Sequence, residues 1–144
     1  MVDNNVIEED VKEPKRLFYY TLVDLRNRRI LVSKDKDNPN LFSFFNGETE
    51  SKKNMRNDLI DHVYENLGYV TSSGYTNVGD SGHTTNNEKV SASMFLVEYN
   101  GSKLDINDEE VGWVSLDRVR DLENKVRDSI DRCWIKSINW EGIH

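Results

Sequence analysis

Asp58, Asp61, His62 and Glu65 stand three and four residues apart, in a stretch whose apolar residues Met55, Leu59, Ile60, Val63, Tyr64 and Leu67 recur with a helical period. At 3.6 residues per turn, that spacing gathers the four polar side chains, together with Asn66, on the face opposite the apolar one. Two readings of this face follow. Carboxylates beside an imidazole form a donor set for Mn²⁺ or a transition metal, to which imidazole is well suited. The plainer reading is the solvated face of an amphipathic helix, which requires no ligand.

The elements that must hold this helix are legible on both sides of it. Arg16 to Leu25 is rich in aromatic and branched residues and predicts a buried strand, and Arg29 to Ser33 predicts a returning one after the polar turn Arg26-Asn27-Arg28. Lys34 to Asn40 is a polar connector, and Leu41 to Phe45 is a third strand leading into Asn46-Gly47. Gly68 supplies the residue expected just beyond a helix end. Beyond it, Tyr69 to Val78 predicts a strand, Gly79 to Lys89 a long polar loop, and Val90 to Tyr99 a central strand with Asn100-Gly101 as its turn. Gly112 to Leu116 predicts a last strand, followed by helical stretches from Asp117 and from Asn124 to Ser137. The order is β-β-β-α-β-β-β-α, which implies a mixed sheet with helices packed on it.

A chain of 144 residues fits one domain. Residues 1–14 are charged and read as a flexible arm, leaving 15–144 as a single domain. Three Trp, six Tyr and five Phe supply large buried areas to a composition that is 31% charged. The net charge of −7 argues against a protein living mainly on nucleic-acid phosphates, which demand a basic stripe. Cys133 is the only cysteine, so neither an intramolecular disulfide nor a cysteine-based zinc site forms within the chain, and its surroundings suggest a buried thiol. The first residues lack the apolar run of a signal peptide, and no 18 consecutive apolar residues occur. The expectation is a soluble, cytoplasmic protein without a membrane partner. Trp113 reads as core. Trp134 and Trp140, beside Ile135, Ile138 and Ile143, suit a base-stacking surface, internal packing or a partner contact.

Gly47 to Tyr69, GETESKKNMRNDLIDHVYENLGY, resembles the Nudix hydrolase signature G-x5-E-x7-R-E-U-x-E-E-x-G-U, in which U is bulky and apolar. Gly47, Val63, Glu65, Gly68 and Tyr69 match without insertion. Lys53 stands at the first Glu, Asp61 and His62 at Arg-Glu, and Asn66 at the last Glu. Glu109-Glu110-Val-Gly-Trp-Val-Ser-Leu-Asp is similar to the family's acidic loop and Trp-Val, Leu-Asp segment. The resemblance covers about residues 15–137 and implies an α/β/α sandwich around a mixed β-sheet (α/β, or α+β).

In that family glutamates on one helical face hold Mg²⁺ or Mn²⁺, which neutralise a pyrophosphate and activate water. The resemblance places His62, Glu65 and Asn66 at the metal-ligand positions, so one carboxylate of three remains, and Asp61 replaces the orienting Arg. Weak or absent metal binding is expected. Asp61, Glu109 and Glu110 are further candidate ligands, and His62, Glu65 and the loop residue His83 candidate catalytic groups. Asn46 and Gly47 occupy the glycine-loop position, offering either a backbone carbonyl to a metal or an ordinary turn requiring a left-handed residue. Three functions stay open: a degenerate Nudix-fold module binding a nucleotide derivative or a protein with little or no hydrolysis; a divergent hydrolase of nucleoside diphosphates linked to another group, such as nucleotide sugars; and a structural subunit of a homo-oligomer.

Overall fold

The computed structural model describes residues 15–71, 74–85 and 88–143. The proposed N-terminal arm, 1–14, lies outside them. The described elements are β1 (Lys15–Asp24), β2 (Arg29–Lys34), β3 (Phe42–Ser43), β4 (Phe45–Thr49), α1 (Lys52–Leu67), β5 (Tyr75–Thr85), β6 (Glu88–Glu98), β7 (Val111–Ser115), a 3₁₀ segment Leu116–Leu122, α2 (Ser129–Ser137) and a 3₁₀ turn Trp140–Gly142.

β1 is the axis of the sheet. One edge pairs in parallel with β6 from Lys15↔Val90 to Val23↔Glu98. The other edge is divided, with Arg16 to Tyr20 facing β4 and Leu22 to Asp24 facing β2, both antiparallel. At the division Thr21 is buried, and its hydroxyl donates to the Leu31 carbonyl at 2.8 Å. β5 lies outside β6, and β7 and β3 pair with β2.

The alternation of β1 divides the core into two layers. Phe18, Tyr20 and Leu22 face α1 and meet Met55, Leu59, Val63 and Leu67, while Tyr19 and Val23 face α2 and meet Trp134, Ile135 and Trp140. The architecture is the expected α/β/α sandwich around a mixed sheet. Ser51 caps α1 by accepting from the Asn54 amide. Gly68 closes it in the left-handed conformation at φ 64°. No helix among the described residues is long and apolar enough to cross a membrane.

Several local expectations are corrected. Ile60 is half-buried and Tyr64 exposed, because α1 rests on a single sheet surface and buries only a narrow stripe with a four-residue step. The segment 79–89 is not a long loop, since β5 continues to Thr85 and pairs along β6 after a bulge at Asn77/Gly79. An edge strand draws its hydrogen bonds from a neighbour's backbone and needs no apolar alternation to form. The strand begins at Tyr75 rather than Tyr69, whose ring is buried beneath the C-terminal end of α1. The third strand breaks at Phe44, where the chain crosses from β2 to β1. The late helical stretches are the 3₁₀ segment and a shorter α2 beginning at Ser129.

Of the alternatives open for Trp134 and Trp140 the structure takes internal packing, while Trp113 and Cys133 depart from expectation. Trp134 and Trp140 are core, with the Trp140 indole N–H donating to the Ile135 carbonyl at 3.0 Å, so neither is a surface platform. Trp113 is only half-buried and carries the Arg29 guanidinium 4.1 Å above its ring. Cys133 is exposed, because α2 turns Asp131, Trp134 and Ile135 inward instead. The C-terminal segment is therefore structural: Trp140→Ala should cost about 3–5 kcal/mol in urea unfolding, with no change of oligomeric state in size-exclusion chromatography.

Candidate binding cleft

Gly47 lies in mid-strand, paired with Phe18, and its backbone is not left-handed. The reading of Asn46-Gly47 as a turn is thereby corrected. Glycine is required for another reason: a Cβ at residue 47 would sit 2.5 Å from Phe18 Cζ and 2.8 Å from His62 Cδ2. The helix passes so close to β4 that no side chain fits between them. Asn46 is exposed, its amide donating to the Phe44 carbonyl at 3.3 Å.

Over this contact opens a cleft of about 600 Å³, lined by Phe18, Glu48, Thr49, Glu50, Asn54, Asp58, Asp61, His62 and Glu65. The four polar helix positions expected to share a face do share it. Asp61 and Glu65 are exposed, and Asp58 is half-buried, its carboxylate accepting from the Thr49 hydroxyl at 2.5 Å. Glu48, paired with Lys15 at 2.7 Å, and Asn54 join them without having been picked out from the sequence. Nothing in a single chain marks Glu48, since only strand pairing brings it beside the helix.

His62 behaves differently from its carboxylate neighbours. Half-buried, it meets Phe18 and Tyr20 edge-on, each at 5.5 Å between ring centroids. Its Nδ1 lies 2.8 Å from the Tyr20 hydroxyl. Burial pushes the Tyr20 phenol well above its ordinary pKa, so this hydroxyl is a neutral donor, and Nδ1 accepts with its lone pair. The Asn66 amide nitrogen, 3.2 Å from Nδ1, also donates to the His62 carbonyl at 2.9 Å. Two donors around Nδ1 place the ring proton on Nε2. Burial draws the His62 pKa below the usual imidazole value, and the Glu65 charge offsets part of that effect.

His62 and Asn66 do not suit a divalent cation as they stand. The His62 lone pair is committed to Tyr20, its other nitrogen carries a proton, and Asn66 is folded back on its own helix. Among the described residues no three His, Cys, Asp or Glu side chains are grouped to hold a metal ion. The remaining candidates stand elsewhere. Glu109 and Glu110 are exposed on a turn capped by Asn107 and line a separate cleft with Lys34, Asp35 and Lys36. His83 belongs to β5, opposite Val90, with β6 and β1 between that strand and β4. The structure brings neither to the helix cleft.

No family model matches the sequence, and no curated protein matches it. Solved structures do. The solution structure of the E. coli ORF135 protein matches at 17% identity and TM-score 0.65, over 86% of this chain and 89% of that one. A MutT NUDIX hydrolase from Burkholderia pseudomallei matches at 16% identity and TM-score 0.62, over 89% and 100% of the two chains. The NUDIX domain of Shewanella oneidensis NrtR, complexed with ADP ribose, matches at 10% identity and TM-score 0.65, over 95% and 96%. The chain has a Nudix fold. Its helix α1, which follows Gly47 and ends at Gly68, holds the stretch whose sequence resembles the Nudix signature.

Three outcomes follow from this geometry. Gly47→Ala should destabilise by about 1–3 kcal/mol in denaturant unfolding, because Phe18 and His62 must both move. Tyr20→Phe should cost about 1–2 kcal/mol by stranding the His62 acceptor. A folded-state histidine pKa below the unfolded value gives stability that is complete above the unfolded value, ~6.5, and is lost as pH falls through the folded value. The imidazole should therefore titrate below ~6.5 in NMR, with ¹⁵N shifts of an Nε2–H tautomer at pH 7.5. An Nδ1–H tautomer would contradict the assignment.

Proposed function

We propose that this chain is a Nudix-fold binding module with little or no metal-dependent hydrolysis, and that its cleft receives a positively charged segment of a partner protein. The observation that carries the first half is the commitment of His62 Nδ1 to Tyr20 at 2.8 Å. Pyrophosphate cleavage on this helix needs oxygen donors that offset cation charge. A neutral, inward-turned imidazole and a carboxamide offer none.

The lining supports the second half. Glu48, Glu50, Asp58, Asp61 and Glu65 all border the cleft, and Lys15 pairs with Glu48 at its rim. A phosphate brought to ~4 Å from one such carboxylate meets ~1 kcal/mol of repulsion even in water, and several carboxylates act together. Without a cation between them, that field opposes a free nucleotide and favours lysine or arginine. The second reading, a nucleotide derivative, draws support from the ADP ribose bound by the NrtR domain.

The deciding assay incubates the protein with Mg²⁺ or Mn²⁺ and a panel of nucleoside triphosphates, dinucleotides and nucleotide sugars, following phosphate and nucleotide products, with Glu65→Gln in parallel. No turnover above background is expected. Metal-dependent turnover that disappears in Glu65→Gln would overturn the proposal and establish a divergent hydrolase. For the partner, a lysine- and arginine-rich peptide should bind at low salt and lose affinity at 0.5 M salt, where the screening length falls to about 4 Å. Asp61→Asn with Glu65→Gln should weaken that binding by about threefold to tenfold. Stabilisation by ADP ribose, with no response to the peptide, would select the nucleotide-derivative reading instead.

A further inference from the structure

On the opposite face of the sheet, two polar side chains of α2 end in the core. Asp131 is 1% exposed and Trp134 2%. One Asp131 oxygen, Oδ1, accepts from the Phe44 backbone N–H at 3.2 Å. Phe44 is the residue at which the chain leaves β2 and joins β1, so its N–H falls between two strand pairings. The other carboxyl oxygen, Oδ2, and the Trp134 indole nitrogen, Nε1, are both buried, and among the described residues neither has a hydrogen-bond partner. An acceptor and a donor are thus stranded three residues apart on the inward stripe of one helix, a spacing that sets Cβ atoms about 5–6 Å apart.

The packing of Trp134 fixes which way its nitrogen faces. The benzo part of the ring lies against β5, where a Cβ on Gly79 would sit 3.0 Å from Cζ3 and 3.7 Å from Cε3. Nε1 is on the other long edge of the indole, so it is turned away from this outer strand. Inward of β5 stand Tyr19 of β1, whose ring centroid is 6.3 Å from that of Trp134, and the crossover at Phe44 that Asp131 holds.

Protonating Oδ2 does not satisfy this pair, because an indole nitrogen donates only and has nothing to accept with. A metal or ammonium ion meets the carboxylate but gives the indole N–H no acceptor, and an anion does the reverse. What the pair requires is one small group that accepts on one side and donates on the other.

We infer that a single water molecule is a built-in part of this core, accepting from Trp134 Nε1 and donating to Asp131 Oδ2. Buried polar groups that converge on one place are commonly satisfied by a conserved internal water. The bridge completes the surroundings of the carboxyl, with the Phe44 N–H on one oxygen and water on the other. It also fastens α2 to the corner from which β4 carries Gly47, Glu48 and Thr49 to the cleft on the far face.

The test uses the full ¹⁵N-labelled chain, with Trp140 as the internal control. The Trp134 Nε1–H should show a water cross-peak of opposite sign in NOE and ROE spectra, the mark of a water held longer than the tumbling time. The Trp140 Nε1–H, which donates to the Ile135 carbonyl at 3.0 Å, should show none. Tyr19 carries the neighbouring exchangeable hydroxyl, so the cross-peak should persist in Tyr19→Phe. Trp134→Phe removes the donor and keeps an aromatic ring; it should lower the ¹⁷O relaxation dispersion by about one long-lived water. Should that variant fail to fold, the wild-type and Tyr19→Phe spectra decide. A Trp134 cross-peak no stronger than that of Trp140, one that is lost in Tyr19→Phe, or an unchanged dispersion in folded Trp134→Phe overturns the water bridge.

Discussion

Helix α1 approaches the sheet until residue 47 has no room for a side chain, and much of the molecule's character follows from that contact. The approach presses His62 against Phe18 and Tyr20, sets β4 beneath the helix, and opens the cleft between the helix's polar face and the strand's edge. A glycine elsewhere on this sheet can be replaced at modest strain, but here the neighbouring atoms are two aromatic rings wedged between strand and helix. Tight interlayer packing of this kind resists relaxation, because interiors are close-packed and transmit displacement.

The same contact fixes what His62 does in the fold. At this point of a Nudix helix a glutamate would direct its charge outward to a metal. An imidazole is shorter and flatter and carries both an apolar face and a lone pair, so it packs inward on two rings and accepts from a buried phenol. Asp61 and Glu65 remain outward, and with Glu48, Glu50 and Asp58 they give the cleft a negative field. The fold by itself assigns no activity.

The two faces of the sheet hold two buried polar contacts. His62 with Tyr20 lies under α1, and Asp131 with Phe44 under α2. They meet at adjacent residues, since Phe44 takes the carboxyl and Phe45 stacks on Tyr20.

Periodicity in the sequence was sufficient for the order of elements, for α1 with its closing Gly68, and for the gathering of Asp58, Asp61, His62 and Glu65 on one face, because these depend on neighbours within one or two turns. It placed the strands of the axis correctly, since β1 and β6 are apolar enough to declare burial on both faces. It misread β5, whose polar residues conceal an edge strand held by backbone bonds, and it put Ile60 and Tyr64 in the core because period cannot tell how wide a stripe the sheet will cover. It left Trp134 and Trp140 open between packing and surface and put Cys133 inside, because α2 is short and only its docking decides which side faces in. The roles of Gly47, Tyr20, Glu48 and Asp131 rest on contacts between residues 15 to 87 positions apart. Such contacts leave no local pattern, and tertiary structure decided whether His62 would offer its nitrogen to a ligand or spend it on the fold.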